Sequence, residues 1–219
     1  MSTIIISGAG RGIGLELSKQ YQARGETVIG LCRNATPELK SLGIEIIDSV
    51  DVTDESSIAK MVEQLNGRSI DMLINNAGIL HKVTLDKPDY DSIRNQFEVN
   101  ALGPLKVTTG LLGNLSPSAK VGVITSRMGS IADNTSGSHY GYRSSKAAAN
   151  IIGVSLAQDL KPKGIAVAIL HPGMVSTDMT RHNGIPVAEA ASGLIARLDN
   201  LDLTNTGRFW HANGEELPW

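Results

Sequence analysis

The sequence contains one cysteine, Cys32, so no internal disulfide can staple the chain, and such sparing use of thiols fits a reducing compartment. Net charge is equally scarce. Twenty Lys+Arg against 22 Asp+Glu leave a formal charge of −2, so nucleic acid and anionic lipid meet no basic field and are disfavoured as partners. No apolar run approaches the roughly 20 residues of a spanning helix. Met1 leads almost directly into a Gly-rich turn, without the basic and apolar regions of a secretory signal. His81, His139, His171, His182 and His211 are scattered without paired spacing, so no metal site is expected. What the chain does have is 41% hydrophobic residues in a length of 219. That is enough apolar surface to offset the entropy of ordering, which excludes disorder and gives room for one sizeable domain over residues 1–219. A soluble, cytoplasmic protein with no membrane or nucleic-acid partner is expected.

The pattern alternates strands and helices. Thr3–Ile6, Thr27–Leu31, Ile44–Ile47, Asp71–Ile74, Val121–Thr125, Ile165–Leu170 and Arg208–His211 read as strands, several of them β-branched runs that stop at Gly or Asp. Helical spacing covers Gly12–Arg24, a stretch opened by Thr53-Asp54, Tyr90–Leu112, Ser144–Leu160 and Val187–Leu198. Gly103-Pro104 must kink or interrupt the third of these. Such alternation implies right-handed crossovers and an α/β fold: one doubly wound parallel sheet of Rossmann type, with helices on both faces and ligands at the carboxyl ends of its strands.

The first turn, Ser7-Gly8-Ala9-Gly10-Arg11-Gly12-Ile13-Gly14, follows a strand and opens a helix. Gly8 suits the tight turn, Gly12 lets backbone amides approach a phosphate, and Gly14 allows close helix–strand packing. The helix N-terminus adds its partial positive charge to this pyrophosphate site. The second strand ends at Leu31-Cys32-Arg33-Asn34 with no carboxylate to hold a ribose 2′-hydroxyl. Arg33 and Arg11 could instead hold a 2′-phosphate, so NADP(H) is favoured over NAD(H).

Tyr142 and Lys146 stand four apart in a helical stretch and share its face. A lysine beside a phenol favours the phenolate and is expected to draw the phenol's pKa down from about 10. Tyr142 then becomes a general acid for a carbonyl oxygen that receives hydride at its carbon. Ser126, at the end of a strand, can hydrogen-bond the same oxygen. Tyr140 has no lysine one turn on, and Ser130 lies further from the strand end. Glu215-Glu216 reads as a solvated pair, and Trp210 and Trp219 read as packing residues.

These features resemble the short-chain dehydrogenase/reductase family in its compact form, and the resemblance covers nearly the whole chain. Gly8-x-x-x-Gly12-x-Gly14 resembles the family's cofactor loop, with Arg11 and Ile13 inside it. Asp51-Val52 resembles its adenine contact, and Asn75-Asn76-Ala77-Gly78 the motif that closes the fourth strand. Ser126, Tyr142 and Lys146 match its catalytic positions, and Asn100 matches the asparagine that completes a tetrad. His171-Pro172-Gly173-Met174-Val175-Ser176-Thr177 resembles the loop at the nicotinamide end, which puts Pro172, Gly173, Val175 and Thr177 beside the cofactor. The segments 126–131 and 141–146 and the ending Pro218-Trp219 are similar to the subgroup of sniffer-type carbonyl reductases and the bacterial C-factor.

The resemblance implies NADP(H)-dependent hydride transfer between nicotinamide and a small carbonyl or alcohol substrate. Lys146 would also hold the nicotinamide ribose, and Asn100 a water that relays protons. An NADP(H)-binding sensor or signalling protein with incidental turnover is the alternative. The chain departs from longer members in leaving only Asp178 to Pro186 as a substrate-covering segment, and in spacing Ser126 widely from Tyr142. The short segment implies either an open site or one completed by a partner chain. Ala147, Ala148, Ala149, Ile151 and Ile152 suit pairing into a homo-oligomer, a dimer or tetramer, and equally suit packing on the sheet.

Overall fold

The structure is a computed structural model that describes Met1–Trp219 throughout. Seven strands form one parallel sheet: β1 (Thr3–Ser7), β2 (Thr27–Leu31), β3 (Glu45–Ile47), β4 (Ile70–Asn75), β5 (Leu115–Ile124), β6 (Ala166–His171) and β7 (Phe209–His211). Their order is β3-β2-β1-β4-β5-β6-β7. The chain therefore winds outward from β1 to β3, returns to β4 on the other side, and winds outward again. The reversal opens a crevice between the carboxyl ends of β1 and β4, the place where ligands enter such sheets.

Burial on both faces explains why the strands read as unbroken apolar runs. Successive side chains point to opposite faces. Ile5 accordingly joins one core of 22 buried residues, while Ile4 and Ile6 join a second of 20. The first core lies under α3 (Glu55–Leu65), α5 (Gly103–Gly110) and α6 (Tyr140–Leu160), through Met61, Val107 and Leu160. The second lies under α1 (Gly12–Ala23), α2 (Pro37–Ser41) and α7 (Val187–Asp199), through Leu17, Leu39 and Leu194. No helix is long and apolar enough to cross a membrane.

Several boundaries differ from expectation. The helical stretch beginning at Tyr90 breaks earlier than Gly103-Pro104: α4 (Tyr90–Phe97) gives way to a π-helical turn over Glu98–Leu102, and Pro104 sits in the opening turn of α5, where its missing N–H costs little. Strand β5 begins at Leu115 rather than Val121, because Leu115 pairs with Ile70 ahead of a register shift. Helix α6 begins at Tyr140 rather than Ser144, after His139 in left-handed conformation at φ 50°. Helix α2 was not expected at all. It is capped by the Thr36 hydroxyl, which accepts from Leu39 N–H at 3.2 Å.

Candidate active site

The glycine turn is held by the strand beside it. Gly8 adopts φ +67°, and a Cβ there would lie 2.9 Å from Ala77 Cα. At Gly14 a Cβ would lie 2.3 Å from the Gly8 carbonyl oxygen, so only glycine lets α1 start this close to β1. Asn76 Nδ2 donates to the carbonyls of Ser7 and Gly8 at 3.1 and 3.2 Å. The Ser7 hydroxyl accepts from the amides of Asn76 and Ala77. Asn76 and Ala77 thus brace the turn, and Ser7, which the glycine pattern did not single out, belongs to the same brace. Arg11 caps α1 without a side-chain hydrogen bond, and the first turn of α1 carries no acidic residue. No acidic side chain of this first turn competes for the amides around Gly12, Ile13 and Gly14.

The expected adenosine side is partly occupied by local bonds. Arg11 Nη1 lies 3.4 Å from Asp178 Oδ2 with both groups exposed. Arg33 is exposed just beyond β2. Asp51 Oδ1 accepts from both the amide and the hydroxyl of Thr53, while Val52 is buried in the first core. On the far side Thr177 stands 3.4 Å from where a Gly12 Cβ would lie, Gly173 turns at φ +90° after Pro172, and Val175 is buried.

Ser126, Tyr142, Lys146 and Asn100 come together at the ends of β4 and β5. All four are buried. Ser126 follows β5 and opens a tight turn over Arg127–Gly129, its Oγ accepting from Met128 N–H at 3.1 Å. This turn packs on α6 so closely that a Cβ on Gly129 would lie 2.6 Å from the Lys146 carbonyl carbon. Lys146 Nζ donates to the Ile124 carbonyl at 3.0 Å and stands 5.7 Å from the centre of the Tyr142 ring. Gly78 fits beneath, where a Cβ would lie 3.2 Å from Asn100 Oδ1 and 3.6 Å from Lys146 Nζ.

Asn100 sits in the π-helical turn, whose extra residue turns its side chain inward. It accepts from Ile79 N–H and donates to Ile79 C=O, both at 2.8 Å, and donates to Ser145 Oγ at 3.0 Å. Helical interruptions of this kind recur at functional sites. Here the turn ties Asn100 to the backbone just past Gly78.

The expected lowering of the Tyr142 pKa is reversed in this structure. Burial disfavours the phenolate and pushes the phenol up to about 12, with the Ser126 hydroxyl pulling the other way. Burial also pushes Lys146 down to about 8. Spacing alone shows a cation beside a phenol. It does not show that both lie out of water, where burial disfavours the charged form of each. The neutral phenol that results is the proton-carrying form a general acid needs.

Two features at the cleft were not legible. His171 and His211 meet edge to face with ring centroids 4.9 Å apart, and burial holds His171 down at about 3. Glu215 and Glu216 are exposed, as expected, and each also finds a cation: Glu215 pairs with Arg127 at 2.6 Å and Glu216 with Arg208 at 3.1 Å. Trp219 does pack, stacking on Phe209 at 5.3 Å.

A doubly wound parallel sheet with a glycine turn at its switch point, a buried serine past the end of β5 and a buried tyrosine and lysine on α6 beside it defines a dinucleotide-dependent class of oxidoreductase. Comparison with known proteins narrows the class: the chain belongs to the short chain dehydrogenase family, whose pattern matches residues 2–185. It is 42% identical over 226 residues to the 1-hydroxy-2-glutathionyl-2-methyl-3-butene dehydrogenase of Rhodococcus sp. (strain AD45), covering 100% of both chains. It is also 42% identical over 154 residues to the C-signal of Myxococcus xanthus, covering 68% of this chain and 93% of that one. Among solved structures, the carbonyl reductase Sniffer of D. melanogaster superposes with a TM-score of 0.93 at 27% identity, covering 100% of each chain. The NADPH bound carbonyl reductase from chicken fatty liver does so with 0.91 at 28% identity, covering 100% of this chain and 99% of that one.

Proposed function

We propose that the protein is an NADP(H)-dependent reductase of aldehydes or ketones, reversible to alcohol oxidation. The observation that carries this reading is the burial of Ser126, Tyr142 and Lys146 together, with only β4 between them and the strand that leads into the glycine turn. The bound nicotinamide would supply hydride to the carbonyl carbon. The chain's own residues handle everything else. Amides of Gly8, Gly12, Ile13 and Gly14 receive the pyrophosphate. Arg11 and Arg33 receive the 2′-phosphate, with Arg11 giving up an exposed ion pair to Asp178 that contributes little. Asp51 and Val52 would meet the adenine, Asn76, Ala77 and Gly78 would line the crevice, and Pro172, Gly173, Val175 and Thr177 would hold the nicotinamide end.

At the reacting oxygen, Ser126 Oγ donates a hydrogen bond as negative charge builds, and Tyr142 delivers its phenolic proton. The phenolate left behind is stabilised by Lys146, whose ammonium stands 5.7 Å from the centre of the Tyr142 ring and has no carboxylate to neutralise it. Lys146 also holds the nicotinamide ribose. Asn100, through the Ile79 carbonyl it anchors, positions the water that returns the proton to Tyr142.

Consumption of NADPH and NADH with a panel of ketones, dicarbonyls and aldehydes tests this reading, with Tyr142→Phe beside wild type. Turnover with NADPH that falls at least about 100-fold in the variant supports it. The likeness to the C-signal favours a second reading, an NADP(H)-binding signalling protein. Tight NADPH binding without turnover of any carbonyl would select that reading. The Rhodococcus relative acts on a glutathionyl alcohol, so glutathione conjugates of alcohols belong in the reverse-direction panel.

A further inference from the structure

The short segment after Thr177 leaves open what steadies the substrate side of the cleft, and the last eleven residues, 209–219, supply an answer. They form a hairpin-like turn in which His211 N–H donates to the Glu215 carbonyl and Leu217 N–H to the Phe209 carbonyl, both at 2.8 Å. This turn grips both walls of the cleft. On one wall, Ala212 N–H donates to the His171 carbonyl at 2.8 Å, and the His211 ring lies 3.5 Å from where a Gly173 Cβ would be. On the other, Ala132 N–H donates to the Trp219 carbonyl at 2.8 Å. The two walls meet at Arg127, the residue after Ser126. Its Nη2 lies 2.6 Å from Glu215 Oε1 and its Nε 3.0 Å from Asp133 Oδ2.

We propose that Arg127 and Glu215 form a clasp that positions Ser126, which makes the C-terminal turn a working part of the cleft. The inference rests on the reductase reading for Ser126. Arg127 is the first residue of the tight turn whose cap is Ser126, so fixing its guanidinium fixes the turn, and with it the Oγ that faces Tyr142. Arg127 touches neither substrate nor cofactor in this account and is a positioning residue. The pair is 40% and 50% exposed, so it adds little to global stability. Its value is geometric, and its loss should appear in turnover rather than in unfolding.

The test is a double-mutant cycle between Glu215→Gln and Ser126→Ala, which isolates coupling from general damage. Turnover, ketone KM and melting temperature are read for each, with Arg127→Lys as conservative rescue and Glu215→Asp as a second variant should the glutamine form fold poorly. Glu215→Gln should lower kcat about five- to tenfold with KM and melting temperature nearly unchanged. In the Ser126→Ala background, where nothing remains to position, the same change should cost less than about twofold. Arg127→Lys should retain part of the activity. An equal loss in both backgrounds, or no loss in either, overturns the proposal. If wild type reduces no carbonyl, the reductase reading fails instead, and amide hydrogen exchange judges the clasp separately. Faster exchange over 126–133 in Glu215→Gln, with α1 unchanged, supports it, and unchanged exchange over 126–133 refutes it.

Discussion

Replacing Lys146 by methionine should stabilise the cofactor-free protein while abolishing its activity. Lys146 is 4% exposed, donates to one carbonyl and has no anionic partner. Burial alone holds it at about 8, against an ordinary value of 10.5. A lysine whose folded pKa lies below its unfolded one binds fewer protons in the native state, so the native state is penalised wherever the unfolded chain would be protonated. The penalty is full below pH 8, shrinks between pH 8 and 10.5, and is gone above that. At about 1.4 kcal/mol per unit it comes to roughly 3 kcal/mol at pH 7. Methionine fills a similar volume and forfeits one hydrogen bond worth about 1 kcal/mol, leaving a net gain near 2 kcal/mol. For a chain of this size that is a rise of about 4–8 °C in melting temperature. Denaturant unfolding of both proteins at pH 7 and pH 10 reads the effect. The advantage should be present at pH 7 and fall by about 2 kcal/mol by pH 10. A variant less stable than wild type at pH 7, or a difference that ignores pH, would refute the account of Lys146 as an unpaired buried cation kept for chemistry.

Three further outcomes follow from other parts of the site. Asn100→Ala removes the partners of Ile79 N–H, Ile79 C=O and Ser145 Oγ, and should cost about 2–4 kcal/mol in chemical denaturation as well as activity. Arg11→Ala with Arg33→Ala should raise the KM for NADPH at least about tenfold and leave that for NADH nearly unchanged, measured by initial rates. Gly14→Ala should give a protein that fails to bind NADPH in a fluorescence titration, because the Gly8 carbonyl and the Asn76 amide stand where the methyl group must go.

The parallel sheet was legible because its strands are buried on both faces and read as apolar runs that end at the chemistry. Ile4, Ile5 and Ile6 are the plainest case. The glycine turn was legible for a related reason, since no other residue tolerates its geometry at Gly8 and Gly14. What escaped depended on partners distant in sequence. The opening of β5, Leu115-Ser116-Pro117-Ser118, lacks an apolar run and is strand only because β4 offers it a pairing edge. The π-helical turn that aims Asn100 arises from packing against Ile79 and Ser145, and no composition marks it. Helix α6 begins at Tyr140-Gly141-Tyr142, poor helix formers held there by the contact of Tyr140 N–H with the Val83 carbonyl. The pairing of the exposed Glu215 with Arg127 escaped because the two lie far apart along the chain. The upward shift of the Tyr142 pKa escaped because spacing reports a neighbour and not the absence of water.

In the proposed reaction a buried tyrosine, Tyr142, protonates a carbonyl oxygen while hydride arrives from a nicotinamide. Single-turnover reduction of a reactive ketone by stoichiometric enzyme and NADPH, comparing wild type with Tyr142→Phe, tests it most directly. The account predicts NADPH oxidation matched one for one by alcohol formed, slowed at least about 100-fold in the variant with NADPH binding retained. Equal rates in the two proteins, or NADPH bound and never oxidised, would contradict it.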